Sequence, residues 1–476
     1  MTLTLTGFSE ALTAATKFVW GPFLLIPLLI GTGLFLTFRL RGIQFRTLGR
    51  ALRHGIIDQN DSDGEGDISN YQALTTALAA TVGVGNIVGV ATAIAIGGPG
   101  SLFWMWVTGL AGMASKYTEA YLGVRFRVID SAGGQSGGPQ QYLKRGIPGR
   151  LGKTLATLFA AFAALASFGI GNMTQANAVS AGLNDAFGWD KWIVAVVLFV
   201  ATGTVLLGGI KAIGTVTAAF VPMMIVIYLT GAIIVLFMHI DAIPAAFILI
   251  FTDAFTGSAA TGGFVGSTIL IAMRMGVARG LFSNESGMGS AAIAAAAAKT
   301  THPVRQGLVS MSQTFIDTIV VVTFTGLVII CTGTWTMGEG KADVMTAAAF
   351  SAGLPGQWGG TIVSVSIVFF AFSTLLGWSY YGERCATSLL GHRASVPYRM
   401  LFTMVVFIGA TIPLDTVWTI ADLLNGLMVL PNLIGLLLLS GLVARETSAY
   451  LEFDPELRKS AREVAKFRTK QAMDWK

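Results

Sequence analysis

Residues 81–86 read TVGVGN and residues 283–289 read SNESGMG, and each stretch interrupts an apolar segment of membrane-spanning length. Lipid offers no hydrogen bonds, so an interrupted helix is tolerated at membrane depth only where it lines a cavity. Two interruptions at corresponding positions of two halves are the best sequence indication of the site of a secondary transporter. Gly85 and Gly287 are about 200 residues apart, which suits one five-helix repeat with its connections.

The composition is that of a multi-spanning α-helical membrane protein. Of the 476 residues, 53% are hydrophobic and 12% are charged, whereas a soluble domain carries about 25% charged residues. The mean hydropathy is +0.69. Two cysteines are too few for a disulfide framework or a metal cluster, and the four histidines lie outside the deep parts of the predicted spans. We interpret the net charge of +6 as a sign of membrane sidedness, and we expect no nucleic-acid partner.

Apolar runs predict an all-α integral membrane protein with eleven transmembrane helices. They are placed at 18–38, 70–97, 100–123, 154–183, 191–209, 213–239, 272–299, 303–333, 359–382, 397–413 and 418–443. Arginine and lysine concentrate in alternate connections, which predicts an outer N-terminus and a cytoplasmic C-terminus in the cell (inner) membrane. The segment 242–270 is expected to lie along the outer surface as short helices and a loop, with a twelfth span as the alternative.

These helices divide the chain into five predicted parts, two of which begin with an interrupted helix. They are an N-terminal helix with a cytoplasmic loop (1–69), a first five-helix repeat (70–240), an extracellular connection (241–271), a second five-helix repeat (272–444) and a basic cytoplasmic tail (445–476).

The first interruption is a candidate binding site for an ion and for a carboxylate. Gly83 and Gly85 leave helical geometry at little steric cost. Carbonyls released there can coordinate sodium, and released N–H groups can bind a carboxylate. Asn86 adds a side-chain oxygen. The alternative is close helix packing, because small residues let spans approach each other.

The second interruption contains a carboxylate, Glu285. A glutamate within a span is costly and indicates function. Arg279, six residues earlier, is a possible partner across the break. A scaffold role for Glu285, as a buried ion pair that fixes the unwound segment, competes with a direct coupling role.

Residues around Glu285 are predicted to bind the substrate. Backbone groups of Gly287 and Gly289 are expected to contact it, while the side chains of Phe282 and Met288 limit its size. That pattern favours small substrates.

The ninth predicted helix carries Ser373 and Thr374, followed one turn later by Trp378. Adjacent hydroxyls at mid-span can be ligands of sodium. Trp378 shares a face with Thr374 and can close over a small substrate. The alternatives are hydroxyls that bond to the preceding turn of their own helix and a tryptophan that marks the membrane interface.

Other polar residues within predicted spans should face the protein interior. Gln175 in the fourth helix is a candidate for the substrate site or an interhelical hydrogen bond. Asp317 in the eighth helix is a candidate cation or proton site or a buried partner of arginine or amide groups. Lys116 and Glu119 are interpreted as a structural pair.

Three long stretches resemble the alanine or glycine:cation symporter family. They are NYQALTTALAATVGVGNIVGVATAIAIGGPG from residue 70, GVARGLFSNESGMGSAAIA from residue 276 and STLLGWSYYGER from residue 373. The resemblance runs from about residue 20 to residue 445. It implies the fold of the leucine-transporter superfamily, with two inverted five-helix repeats and one extra helix in front. It also implies a substrate site between the interrupted helices, closed by the fourth and ninth helices.

The resemblance further implies a sodium site where carbonyls of residues 81–86 meet Ser373 and Thr374. Thr81 and Val84 are the expected carbonyl ligands. Val84 stands where the family pattern leads us to expect a hydroxyl residue.

Together, the residues and the resemblance predict sodium-coupled symport of alanine and glycine by a monomer, with no enzymatic activity. A proton-coupled carrier that uses Asp317 or Glu285 is the main alternative. A channel would need a continuous polar pore. An intramembrane enzyme would need a nucleophile and a base, or metal ligands, and no histidine or cysteine accompanies the two acids at a useful spacing.

Overall fold

The computed structural model describes residues 2–21, 23–58, 64–256, 265–356, 358–412 and 415–474. Within these residues the regular structure is helical apart from two isolated β-bridges and one short hairpin, in which β1 (Val128–Ile129) pairs with β2 (Gln135–Ser136). A helix satisfies its backbone hydrogen bonds within its own segment, which is what a lipid environment requires.

The chain begins with a helix that the sequence analysis missed. The first three helices are α1 (Thr2–Val19), α2 (Leu25–Arg39) and α3 (Ile43–Leu52). The predicted helix 18–38 therefore corresponds to α2, and α1 precedes it. Trp20 Nε1, just after α1, donates to the Asp422 carbonyl at 2.8 Å.

The first predicted repeat contains eight α-helices. They are α4 (Asn70–Thr81), α5 (Val90–Gly97), α6 (Ser101–Arg125), α7 (Pro139–Gly146), α8 (Gly149–Phe168), α9 (Thr174–Phe187), α10 (Lys191–Leu207) and α11 (Gly209–Met238). Short π-helical segments precede α5 and α9, at Gly85–Gly89 and Gly169–Met173.

The remainder contains ten more α-helices. They are α12 (Ile243–Thr256), α13 (Val265–Asn284), α14 (Ala291–Ala296), α15 (Pro303–Thr314), α16 (Thr323–Cys331), α17 (Ala342–Gly353), α18 (Trp358–Leu390), α19 (Ser395–Thr411), α20 (Asp415–Phe453) and α21 (Ala461–Asp474). A π-helical segment, Phe315–Val322, joins α15 to α16. α20 continues past the predicted boundary at residue 444.

Each predicted span overlaps a helix, but fewer than eleven helices meet the length and hydropathy expected of a membrane crossing. Among the described residues, six helices are long and apolar enough to cross a membrane, or up to eight if each of two bent pairs is one span. α10 is apolar but has only 17 residues, and α6 carries the charges of Lys116 and Glu119. The chain is a multi-pass membrane protein, while the eleven crossings and the inverted repeat stay predictions.

Both predicted interruptions are present. α4 and the following helix Gly85–Gly97 are bent by 51°. α13 ends at Asn284 and α14 begins at Ala291. Between them the φ angles are +54° at Glu285, +91° at Gly287 and +84° at Gly289. These left-handed conformations cannot continue an α-helix.

The two interruptions lie against each other. A Cβ atom on Gly85 would be 2.8 Å from Phe282 Cδ1 and 3.3 Å from Ser283 Cα. The absence of a side chain at Gly85 therefore allows the backbone of the first interruption to approach the end of α13 closely.

α14 is thin and completely enclosed, as its alanine-rich sequence predicts. Its residues are at most 1% exposed. Its end is joined to the loop before α4, because Ile68 and Ala298 form a β-bridge and Asp67 N donates to the Ala297 carbonyl at 2.8 Å. Arg127 donates to the carbonyls of Ala296 (3.1 Å) and Ala298 (2.8 Å).

Candidate functional site

A small cavity lies where the two interruptions face the π-helical segment Gly169–Met173, α9 and α18. Six of the predicted substrate residues line it: Gly83, Gly85, Gln175, Phe282, Thr374 and Trp378. Ala80, Thr81, Ile170 and Glu285 complete the lining. Its free volume of about 10 Å³ is close to that of a single water molecule. The cavity is therefore nearly filled, and an amino acid fits only after a lining side chain moves.

Four other predicted substrate residues lie outside the lining. They are Asn86, Gly287, Met288 and Gly289. The Gly289 N–H donates to Glu119 Oε1 at 2.9 Å. Gly287 faces Leu29 and Leu433 of α2 and α20, and Met288 is fully buried. These groups stabilise the break rather than face the cavity.

Asn86 releases a carbonyl in α4. Its Oδ1 accepts the Gly83 N–H at 2.9 Å. In a continuous helix that N–H would donate to the carbonyl of Ala79, four residues earlier. The Ala79 carbonyl is therefore available to groups from other helices.

Two hydroxyls of α18 meet the released carbonyl. Thr374 Oγ1 and Ser373 Oγ donate to the Ala79 carbonyl at 3.0 and 3.3 Å. Each also donates to the Phe370 carbonyl, at 2.9 and 2.8 Å. The hydroxyls therefore bond within their own helix and also reach α4, and their role as sodium ligands stays a prediction. Four oxygens converge here, and released carbonyls of this kind coordinate sodium in secondary transporters.

The carbonyls that these hydroxyls reach are those of Ala79 and Phe370. The sodium ligands expected at Thr81 and Val84 stay predictions. Thr81 Oγ1 accepts a hydrogen bond from Gln313 Nε2 at 2.8 Å and donates to its own helix. Sequence reasoning missed Ala79 and Phe370 because every residue has a carbonyl, and the one that is released depends on the bond made by Asn86.

Asp317 connects the two interruptions. Its carboxylate accepts hydrogen bonds from Asn86 Nδ2 at 2.8 Å, Ser283 Oγ at 2.8 Å and Thr318 Oγ1 at 2.7 Å. The residue is fully buried. Of the alternatives that the sequence left open for Asp317, these contacts match a buried partner of an amide group, that of Asn86. The carboxylate also links Asn86 in the first break to Ser283 in the second.

Glu285 spans the second break and reaches α18. Its Oε2 accepts from Ser290 Oγ at 2.5 Å and its Oε1 accepts from Trp378 Nε1 at 2.7 Å. The scaffold role fits these contacts, but the suggested partner was wrong. The Arg279 guanidinium lies over the Phe282 ring at 5.8 Å, and the cation that contacts Glu285 is Lys116, which donates to its carbonyl at 3.1 Å.

Lys116 and Glu119 are more than a local pair, because they bind backbone groups that the second break releases. Both are fully buried. Glu119 Oε1 accepts from Gly289 N and from Asn432 Nδ2, and Asn432 Nδ2 also donates to the Gly287 carbonyl at 2.8 Å. Asn432 carried no signal in the sequence, since a lone asparagine in a span has no partner that spacing can identify.

Gln175 presents an acceptor without a partner to the cavity. Its Nε2 donates to the Ile170 carbonyl at 3.0 Å. Its Oε1 is buried and accepts no hydrogen bond from the described residues. This atom lies 3.6 Å from the position that a Cβ atom on Gly83 would occupy. A buried acceptor of this kind is suited to a cationic donor, because leaving it unsatisfied is costly.

Comparison with known proteins matches the chain to transporters. The model of the sodium:alanine symporter family matches residues 6–464. The sodium/alanine symporter AgcS of Methanococcus maripaludis is 51% identical over 459 residues, which cover 95% of this chain and 100% of the relative.

Two relatives from Bacillus subtilis are more distant. The probable sodium/glutamine symporter GlnT is 38% identical, with 90% of this chain and 88% of the relative covered. The putative sodium/proton-dependent alanine carrier protein YrbD is 34% identical, with 87% of each chain covered. These relatives are carriers, not enzymes. The chain therefore belongs to the sodium:alanine symporter family.

Proposed function

We propose that this protein takes alanine and glycine into the cell together with sodium, by alternating access to the cavity between its two interrupted helices. The observation that carries the proposal is the Ala79 carbonyl, released from α4 and met by Ser373 and Thr374 at the edge of that cavity. Family membership and the relative named as a sodium/alanine symporter support the same function.

We infer that sodium binds between α4 and α18. The ligands would be the hydroxyls of Ser373 and Thr374 and the carbonyls of Ala79 and Phe370. The hydroxyls now donate to both carbonyls, and rotation of their O–H bonds would turn lone pairs toward an ion. One charge that crosses 100 mV releases about 2.3 kcal/mol, which is available to concentrate the amino acid.

We infer that the amino acid lies beside this ion. Its carboxylate would accept from N–H groups at the start of the helix Gly85–Gly97, which the helix dipole favours. Its ammonium would donate to Gln175 Oε1, the acceptor without a partner among the described residues. Phe282 and Trp378 would enclose the side chain. Because the cavity is nearly filled, release requires a change of conformation, which suits a carrier better than a channel.

Proton coupling is the less favoured alternative. It has a specific basis in the name of the relative YrbD and in two buried acids, Glu285 and Asp317. Both acids are occupied by hydrogen bonds that hold the two interruptions, which favours a structural role.

Alanine uptake into proteoliposomes tests the coupling ion. We expect saturable uptake of unchanged alanine that needs an inward sodium gradient and stops when choline replaces sodium at constant pH. Undiminished uptake in choline would instead support protons. Unsaturable flux would indicate a channel, and chemically altered alanine would indicate an enzyme.

Trp378→Phe is expected to relax the size limit of the site. The smaller ring leaves space beside Phe282 and removes the donor to Glu285 Oε1. Competition of leucine with alanine uptake should strengthen about ten-fold, since one or two methylene groups in a pocket are worth that much. The measurement is the leucine concentration that halves alanine uptake.

Trp106→Phe is the matched control for this variant. Trp106 also donates a hydrogen bond through Nε1, to Thr323 Oγ1 at 2.7 Å, but it does not line the cavity. Equal effects of the two changes would contradict the assignment of Trp378. Full competition by leucine in the unaltered protein would contradict the size argument itself.

We also propose the finer architecture that the sequence predicted. It comprises eleven crossings with an outer N-terminus in the cell (inner) membrane, which the charge pattern supports, together with two inverted five-helix repeats and a monomeric functional unit. Cysteine labelling from each side of the membrane, at single cysteines introduced at Lys153 and Asp241, tests the orientation. Labelling of both from the same side would reject it.

A further inference from the structure

A basic groove runs along the outside of the protein between the ends of α2 and α20. The arginine groove, as we call it, is lined by Phe35, Phe38, Arg39, Arg41, Gly441, Ala444, Arg445 and Ser448 and has a volume of about 570 Å³. Three of these residues are arginines and none is acidic. The groove shares no lining residue with the cavity between the interruptions.

The acidic residue next to the groove in the sequence faces elsewhere. Glu446 is 3% exposed. Its carboxylate accepts hydrogen bonds from Tyr121 and from Arg125 Nε, the latter at 3.1 Å. Glu446 is therefore engaged by Tyr121 and Arg125, which are not residues of the groove. Arg39 extends across to α20, where its guanidinium lies 3.6 Å from the position of a Cβ atom on Gly441.

The same groove has an apolar end. Phe38 is 80% exposed and Phe35 is 44% exposed, on the last turns of α2. Just beyond them the chain turns by 82° into the helix Ile43–Asp58. Arginines beside exposed aromatic rings, where two apolar helices end, are characteristic of the boundary between acyl chains and headgroups.

We propose that the arginine groove binds an anionic phospholipid. The phosphate of the headgroup lies among Arg39, Arg41 and Arg445, and an acyl chain lies along Phe35 and Phe38. Guanidinium groups match phosphate because their planar array of N–H donors forms paired hydrogen bonds with its oxygens.

The bound lipid would hold α2 against α20, and both helices reach the second interruption. Leu29 of α2 and Leu433 of α20 lie 2.8 and 3.3 Å from the position of a Cβ atom on Gly287. We therefore expect that a lipid bound in the groove also favours alanine transport.

Lipid binding is measured first, so that its result does not depend on the transport assignment. The protein is placed in nanodiscs of phosphatidylcholine with increasing phosphatidylglycerol, and retained lipid is counted by native mass spectrometry. We expect saturable retention of phosphatidylglycerol. Arg39→Gln/Arg41→Gln/Arg445→Gln should lower the affinity for phosphatidylglycerol about ten-fold or more. If this triple variant does not fold, Arg39→Gln/Arg41→Gln replaces it and should give a smaller loss of affinity.

The control is Lys144→Gln/Arg145→Gln/Arg150→Gln, which removes three cations from α7 and the start of α8. It should retain phosphatidylglycerol normally. Equal losses in both variants would overturn the proposal, because they would indicate general surface charge. Displacement of the lipid by inorganic phosphate would overturn the proposal, because it would indicate a site for a soluble anion. Equal retention of phosphatidylcholine would also overturn it, because it would indicate an apolar contact alone.

Discussion

Lys116→Met is expected to lower the free energy of unfolding by about 3 kcal/mol or more, because removal of one member of a buried charge cluster leaves the others without compensation. Lys116 is the cation that faces Glu119 and Glu285 and attracts both. Its loss also removes the donor to the Glu285 carbonyl, a backbone group that the second break releases. We expect the melting temperature of the purified protein to fall clearly.

A second variant distinguishes charge from packing. Lys116→Met/Glu119→Gln removes one charge of each sign, so part of the lost stability should return even though the methionine introduced in place of Lys116 packs in the same way. Lys153→Met, at an exposed lysine of α8, is the control and should leave the melting temperature unchanged. A Lys116→Met protein as stable as the unaltered one would show that the cluster contributes nothing to the second break.

Gly83→Ala is expected to raise the sodium concentration for half-maximal alanine uptake about 10- to 100-fold. Its Cβ atom would lie 2.5 Å from Thr374 Oγ1, so the hydroxyl must leave the Ala79 carbonyl. Loss of one polar contact to an ion costs about 1.5–3 kcal/mol, and this free energy corresponds to the expected 10- to 100-fold rise in the sodium concentration. Thr374→Ala should have an effect of similar size, whereas Thr374→Ser keeps the hydroxyl and should be mild.

The two changes provide a double-mutant cycle. Gly83→Ala/Thr374→Ala should be no worse than Thr374→Ala alone, because the clash and the ligand disappear together. Additive losses would mean that Gly83 acts elsewhere, for example on the substrate. Gly89→Ala is the control, since a Cβ atom there meets nothing within 4 Å. Normal sodium dependence in both single variants would reject the proposed ion site.

The interruptions were predictable because the cost of unsatisfied backbone groups in lipid is general and the residues that relieve it are few. Gly83, Gly85 and Asn86 indicate the first break once they are paired with the second one. Positive φ angles at Gly287 and Gly289 explain why glycine stands there. The cavity residues followed from helix periodicity, which places Thr374 and Trp378 on one face.

What the sequence could not indicate are contacts that depend on the rotation of one helix against another. Arg279 was the only candidate partner of Glu285, and Lys116 was assigned to Glu119, because only packing shows that Lys116 reaches the Glu285 carbonyl. Asn432 lies 145 residues from the Gly287 carbonyl to which it donates. α1, α7 and α21 were missed for another reason, because long apolar runs are the sequence signal of a span and these helices lie outside such runs.

The enclosed α14 has a consequence for the rate of opening. Apart from Ile293 its side chains are methyl groups, which have no alternative rotamers and can slide past neighbours without crossing torsional barriers. Polar contacts hold its end, from Arg127 and from the bridge between Ile68 and Ala298. We therefore expect that these contacts must break before the half-helix moves, and that they contribute to the activation barrier for exposing the site on that side.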